Sequence, residues 1–253
     1  MPADSVINLH WLLLGSFPRG VVGGLALNIG VALAAFAASF AIGHALALGR
    51  VSRLPLLRWI CTAYVELVRS VPLLIVLFWF YFSIPILLHT TPSPVWSALF
   101  ALSCYGAAYQ AEYIRAGIMA VSTGEIEAAR SLGLSRTAVL MRVVLSQAHR
   151  KMLPTYASYF TSMFKDSSVL YMVGLVELMQ AGLIVAERHP ARMLEVYLTV
   201  AGLFFAVCWT ASRLGRFLER RLAAHEPLTP GDQTPSSPQP QPLSLKESHH
   251  AHA

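Results

Sequence analysis

Charge is what this sequence has least of. Only 13% of its 253 residues are Asp, Glu, Lys or Arg, against about a quarter in an ordinary soluble domain. Hydrophobic residues make up 55% and the mean hydropathy is +0.55. A large soluble core does not account for that deficit. Long apolar stretches recur along most of the chain, and the bilayer is their natural solvent. Cysteine is scarce as well. Cys61, Cys104 and Cys208 lie far apart, each in or beside an apolar stretch, so they read as packing residues rather than a metal set or a disulfide framework. There is no Gly-x-x-x-x-Gly-Lys-Ser/Thr phosphate loop and no nucleophile elbow, and no metal-ligand pair of histidines falls within an apolar run. No metal, cofactor or catalytic residue is therefore expected. A cleavable signal peptide is not expected either: Asp4 precedes the first apolar run and no small-residue cleavage site follows a short apolar region. The net charge of +6 raises the question of nucleic acid. The basic residues, however, sit in short clusters between apolar segments, the pattern of cytoplasmic loops, and no nucleic-acid partner is expected.

What is there is a series of apolar runs: Val21 to Leu48, Ala63 to Leu88, Val95 to Ala120, Leu153 to Ala181 and Met193 to Ser212. Each approaches the roughly 20 residues that a helix needs to cross about 30 Å of hydrocarbon. The expected architecture is all-α, a polytopic membrane protein of about five spans. Arg50, Arg53 and Arg58 follow the first run; Arg130, Arg136, Arg142, Arg150 and Lys151 follow the third; Arg213, Arg216, Arg220 and Arg221 follow the fifth. The opposite loops carry only Arg19, Arg188 and Arg192. The positive-inside bias then places the N-terminus outside, and residues 122–151 and the C-terminus inside. Residues 1–20 form an outer N-terminal segment and 21–222 the membrane domain. The Pro-, Gln-, Ser- and His-rich residues 223–253 are expected to be disordered, with His249, His250 and His252 reading as an uninformative tail.

The informative stretch is Ser122-Thr-Gly-Glu-Ile-Glu-Ala-Ala-Arg-Ser-Leu-Gly-Leu-Ser135. Ser122 with Glu125 is a capping-box pattern that starts a helix. Gly133 is placed to end it, and Ser135 to cap a second helix. Pro154 suits the first turn of the next membrane helix. The first of these helices is marginal in isolation, so its presence makes sense if a partner grips it.

Here the sequence resembles a known family. Glu127-Ala128-Ala129, followed by Gly133, is similar to the EAA coupling loop of ABC importer permeases. Residues 107–118, Ala-Ala-Tyr-Gln-Ala-Glu-Tyr-Ile-Arg-Ala-Gly-Ile, resemble the third-helix signature of the polar amino-acid branch, which serves His, Glu, Gln, Arg and opines. Lys165-Asp-Ser-Ser-Val169 ahead of Val176-Glu-Leu178, and Tyr64-Val-Glu-Leu-Val-Arg-Ser-Val-Pro72, resemble further elements of that branch. Residues 77–85, Leu-Phe-Trp-Phe-Tyr-Phe-Ser-Ile-Pro, are most similar to glutamate/aspartate permease subunits. The resemblance covers residues 20 to 222. It implies a multi-pass subunit of the bacterial inner membrane, partnered by a separate ATP-binding subunit, a second permease copy or related permease, and a periplasmic amino-acid-binding protein. Its substrate would be a polar amino acid. Glu127 would contact the ATPase, Ala128 and Ala129 would allow close approach, and Gly133 would set the turn. One departure stands out: where the family loop usually continues to Leu-Pro, this chain has Leu145-Ser146. Serine keeps the N–H that proline lacks, so the second loop helix is expected to run on without a kink.

Charged residues inside spans cost a few kcal/mol on insertion scales and face a cavity or a partner. Glu112 and Arg115 share a helix face and can pair, and Glu66 with Arg69 repeats that spacing. All four are candidates for gating or for structural pairing near the cytoplasmic interface. Lys165 and Asp166 lie about 18 Å along a helix from Leu153, near mid-membrane. With Ser168, Glu177 and Gln180 they form the candidate translocation path, the alternative being a helix or dimer contact. The rival functions are an ion-coupled secondary transporter, disfavoured by the lack of an internal repeat, and a membrane-anchored interaction protein, which needs no mid-membrane lysine.

Overall fold

The computed structural model describes residues 8–90 and 92–223. Nearly all of the tail expected to be disordered, with His249, His250 and His252, lies outside the described residues. Those described are helical, with two isolated bridges, Gly15 to Val22 and Gly24 to Glu177, as the only extended pairing.

A short helix α1 (Leu9–Leu14) precedes α2 (Gly24–Arg50), whose 27 residues include no proline. Helix α5 (Pro94–Met119) lies along α2. Small residues let the two backbones approach, as is usual between helices in lipid. A Cβ at Gly43 would fall 2.7 Å from the Gln110 Cβ and 3.2 Å from the Ala107 carbonyl oxygen. The main core lies between these helices and the next: Val31, Ala35, Leu77, Leu102, Met163 and Leu170 are all buried in it.

The apolar run from 63 to 88 was expected as one helix, and it is broken. Helix α3 (Pro55–Ser70) ends at Val71, which is extended at φ −107° and ψ 136°. A residue before proline is pushed to that region, and Pro72 has no N–H to continue the ladder. Helix α4 (residues 73–88), with a π-helical stretch at Trp79–Ser83, then leaves at 108° to α3.

The segment from 122 to 151 follows the sequence signals more closely. Helix α6 (Thr123–Ser131) is capped by Ser122, whose Oγ accepts from Glu125 N–H at 3.3 Å. Helix α7 starts at Arg136, capped by Ser135 Oγ on Ala138 N–H at 3.3 Å, and runs without a gap to Asp166. It carries a π-helical stretch at Val139–Val144 and passes straight through Ser146. Pro154 was expected to open a membrane helix, but it sits inside one already running. The run from 153 to 181 is likewise not one span. After Asp166 the chain tightens into a 3-10 stretch, Ser167–Val173, and Gly174 turns it left-handed at φ 82°. Helix α8 (Leu178–Arg188) then leads through a short turn into the long α9 (Met193–Ala223).

By length and composition, Gly24–Arg50 and Pro190–Arg221 are each apolar enough to cross a membrane, and the bent pair of α3 and α4 makes a third candidate. Helix α5 is long enough but carries Gln110, Glu112 and Arg115 in its second half.

Candidate coupling loop and translocation path

The loop between α5 and α7 folds on a small core of its own. Val121, Ala129, Val139 and Val144 are buried there, with Ile126 and Leu134 against them. Ala129 thus faces inward, while Glu127 and Ala128 remain exposed. Gly133 adopts φ +81°, with open space around it, so glycine is required there by the backbone and not by crowding. Beside Glu127 the loop presents Leu132, 83% exposed, and Met141, 60% exposed. Those two apolar side chains were not singled out from the sequence, which does not show which apolar residues a helix leaves exposed.

The four candidate gating residues meet, but not in the two pairs that spacing suggested. Glu112 is the hub: Arg115 pairs with it from the same helix, Arg50 Nη1 reaches it at 2.5 Å, and Arg69 approaches to 4.0 Å. Glu66 pairs with Arg50 at 3.4 Å instead of with Arg69. Arg69 also lies over the Tyr109 ring, 5.5 Å from its centroid. The cluster therefore joins α2, α3 and α5 near their C-terminal ends, and Arg50 is the member that sequence spacing missed.

A second polar assembly lies where the chain breaks after Asp166. Asn28, Ser167 and Glu177 are each wholly buried. Asn28 Nδ2 donates to Ser167 Oγ and to Glu177 Oε2, both at 2.9 Å. Its Oδ1 accepts from Leu178 N–H at 2.9 Å. Glu177 caps α8, accepting from Met179 N–H and Gln180 N–H at 2.9 Å each. Irregular backbone is tolerated at membrane depth only when protein satisfies it, and this knot does so. Both Glu177 oxygens are occupied, and Gln180 is held through its backbone. Asn28 was invisible in the sequence, since a lone asparagine in an apolar helix names no partner.

Lys165, Asp166 and Ser168 differ from that knot. Neither charged group forms an ion pair or hydrogen bond with any described residue. Lys165 lies within electrostatic range of Asp166, but only Lys165 of the two lines a crevice. Lys165 and Ser168 line a crevice of about 570 Å³ with Met179, Tyr197, Phe204 and Cys208, opposite the middle of α9. Asp166 lies within electrostatic range of Tyr105 and Tyr159. A tyrosine stripe runs along α5 at that side: Tyr105 and Tyr109 hydroxyls are 3.1 Å apart, and Tyr109 and Tyr113 both pack on Tyr159. The i, i+4, i+8 spacing of these tyrosines was there to be read. Among the described residues no group of three or more His, Cys, Asp or Glu is placed to hold a metal ion.

Comparison with known proteins bears on the same segments. Residues 30–224 match the family model of the binding-protein-dependent transport system inner membrane component. The chain is 37% identical over 190 residues to a probable glutamine ABC transporter permease protein of Bacillus subtilis, covering 74% of this chain and 86% of that one. It is 31% identical over 222 residues to an L-cystine transport system permease protein of the same organism, covering 88% and 92%. To a glutamate/aspartate import permease protein of Escherichia coli it is 32% identical over 207 residues, covering 79% and 92%. Among solved structures, an amino acid ABC transporter crystallised with histidines aligns with a TM-score of 0.72 and 29% identity, over 78% of this chain and 91% of that one. The MetNI methionine ABC transporter, 21% identical with a TM-score of 0.64, shares the fold.

Proposed function

This chain belongs to the family of binding-protein-dependent transport system inner membrane components, as a membrane-spanning permease of an ABC transporter whose ATP is hydrolysed on another subunit, and on that premise we propose that it carries polar amino acids inward. The observation that carries the reading is Lys165 and Asp166, two adjacent opposite charges with no hydrogen bond or ion pair among the described residues, where the fourth apolar run breaks. A charge left without a partner at that depth requires water or a charged ligand. Lys165 and Ser168 offer donors to a carboxylate, Asp166 an acceptor for an ammonium, and Gln180 lies one short helix start away. Glu177 serves the path by holding α8 in place. The relatives named for glutamate/aspartate, glutamine and cystine share α-carboxylate and α-ammonium groups as cargo chemistry. Within that class, the similarity of residues 77–85 to glutamate/aspartate permeases favours an acidic substrate.

The architecture that goes with this function has about five spans, with the bent α3–α4 and the α7–3-10–α8 segment each counted as one crossing. The N-terminus lies outside, and the loop from 122 to 151 and the C-terminus lie inside, as the arginine distribution favours. Glu127, Ala128, Leu132 and Met141 then face the ATP-binding subunit, with Gly133 shaping the turn. The Glu112 cluster closes the cytoplasmic end, and a second permease supplies the other wall of the path. A soluble amino-acid-binding protein delivers substrate outside.

Uptake by the complete importer, competed in turn by glutamate, aspartate, glutamine, cystine, arginine and histidine, tests the reading. Competition by glutamate and aspartate is expected. Competition by glutamine or cystine alone would reassign the substrate within the class, and uptake driven by an ion gradient without ATP would end the importer reading.

A further inference from the structure

We propose that His44 and His149 form a two-histidine site for a divalent transition metal ion of the zinc type, which bridges α2 to α7. His44 lies near the C-terminal end of α2 and His149 near the middle of α7. They are 105 residues apart in the chain, so no local spacing announces them, yet their Nε2 atoms are 3.1 Å apart. Two imidazole nitrogens held at about 2.0–2.1 Å from one tetrahedral ion stand about 3.3 Å from each other. The observed separation is already close to that of two ligands on one ion. The ring centroids are 4.8 Å apart, with 33° between the ring planes. Rings meeting head-on at that nitrogen separation would have their centroids farther apart. These rings are therefore tilted off the line between the nitrogens, as two ligands of one ion are.

The other nitrogen of each ring is engaged from behind. His44 Nδ1 is 2.7 Å from the Phe40 carbonyl oxygen, which can only accept, so Nδ1 carries the proton and Nε2 offers a lone pair. His149 Nδ1 is 3.0 Å from the Tyr156 hydroxyl, which can donate or accept. A carbonyl or hydroxyl behind an imidazole fixes its tautomer and orients the metal-binding nitrogen. Without the ion, His149 Nε2–H donates to His44 Nε2. Binding shifts the His149 proton from Nε2 to Nδ1, where it donates to the Tyr156 oxygen, and the Tyr156 hydroxyl hydrogen turns away. Both Nε2 lone pairs then meet the ion, and no proton is released. Phe40 packs beside both rings, its centroid 4.2 Å from that of His44 and 6.1 Å from that of His149. Both histidines are half-buried, and among the described residues no third His, Cys, Asp or Glu completes a metal-binding group. Water fills the remaining positions, and the ion stays exchangeable. Imidazole suits zinc, nickel and copper, whereas calcium and magnesium take oxygen ligands. The consequence follows from the two helices. α7 runs without a gap from Arg136 to Asp166, so an ion shared with α2 restrains the helix that carries both the loop and the Lys165–Asp166 break. The site itself rests neither on the substrate nor on the orientation of the chain.

The purified full-length permease, carrying His249→Gln, His250→Gln and His252→Gln to remove competing tail imidazoles, is titrated with zinc chloride alone by calorimetry. One equivalent of binding is expected to vanish in His44→Gln and in His149→Gln. Tyr156→Phe should weaken that equivalent about tenfold, as loss of an outer hydrogen bond does. Zinc at about a hundred times its Kd should raise the thermal midpoint by about 5 °C, and neither histidine variant should show the rise. X-ray absorption at the zinc edge, with both histidines in place, should count two imidazoles, and this arm needs no variant at either position to fold. In the complete importer in lipid nanodiscs, the same zinc should slow ATP-driven uptake severalfold, reversibly with EDTA, and not in His149→Gln. No zinc binding, binding that survives both histidine substitutions, or fewer than two imidazoles at the zinc edge overturns the site. An unmoved midpoint, or uptake slowed equally in His149→Gln, overturns the bridge.

Discussion

Ser167 and Lys165 are two residues apart, yet they belong to opposite kinds of place. Ser167 is wholly buried and joins a closed set of hydrogen bonds with Asn28 and Glu177. Lys165 is exposed to a crevice and has no partner among the described residues. The same broken stretch thus holds one polar group that is satisfied within the protein and one that is not. Where the helix stops, its freed backbone groups must be satisfied in the absence of water, and Asn28 and Glu177 meet that demand. Where the break opens toward the crevice and the tyrosine stripe, Lys165 and Asp166 have no hydrogen-bond or ion-pair partner among the described residues, and the proposed path would draw on them. Polar residues at membrane depth are thus read by whether their partners lie in the protein, not by their charge.

The largest effect is expected in the knot. Asn28→Leu keeps the volume but strands the buried Leu178 N–H and leaves Glu177 Oε2 with Met179 N–H as its one donor, at a cost of about 1–3 kcal/mol for the buried donor that loses its partner. The thermal midpoint of the purified permease should fall, and the amount inserted in membranes with it. An unchanged midpoint would mean that water replaces Asn28 and that the two places are alike. Lys165→Met is the counterpart: uptake is expected to drop about tenfold, or ~1.4 kcal/mol, while the midpoint stays within about 0.5 kcal/mol of wild type. If Lys165→Met lowers stability and spares transport, Lys165 is structural and the contrast fails.

Gly133→Leu separates both from coupling. A left-handed backbone costs a non-glycine residue about 1–2 kcal/mol. The α6–α7 turn should therefore shift while the membrane core is untouched. ATP hydrolysis should continue with uptake falling severalfold, read as a lower ratio of substrate carried to ATP spent. Normal uptake in this variant would remove the docking role of the loop.

The smallest effect concerns a relay that ties α7 to α2. The Phe40 carbonyl can only accept, so His44 Nδ1, 2.7 Å away, carries the proton and His44 Nε2 is bare. It accepts from His149 Nε2 at 3.1 Å, which leaves His149 Nδ1 to accept from the Tyr156 hydroxyl at 3.0 Å. Burial, with His44 adding to it, holds His149 below the usual 6.5. The unfolded chain then takes up that proton more readily, so this contribution is complete above about pH 6.5 and is lost as the pH falls. Wild-type stability should decline from neutral toward acid more steeply than that of His149→Gln. Parallel profiles would show that the relay does not titrate with unfolding.

Much of the loop from 122 to 151 was legible because its signals are local. Ser122, Gly133 and Ser135 act on backbone groups within four residues of themselves, and the structure has each where its chemistry required. The membrane part was legible only in outline. Apolar length marks where hydrocarbon is crossed, but nothing in the run from 153 to 181 announces a 3-10 stretch, since Gly174 alone reads as tolerable in a helix. Val71-Pro72 did carry a signal for the bend between α3 and α4, which composition masked by staying apolar on both sides. Pro154 misled in the opposite direction: proline is tolerated in membrane helices when neighbours re-satisfy the backbone.

The sequence by itself determined an all-helical chain, bilayer as solvent, a capped helical turn between basic clusters, and through its motifs the family. These rest on composition and on interactions between near neighbours in the chain. Tertiary structure alone decided which polar residues are partners and which are free. Glu112 chose Arg50 from 62 residues away, and Asn28 met Glu177 from 149 residues away. Pairing at such separations depends on how helices pack, and in lipid that is set by small residues and shape along the whole interface, which no local pattern records.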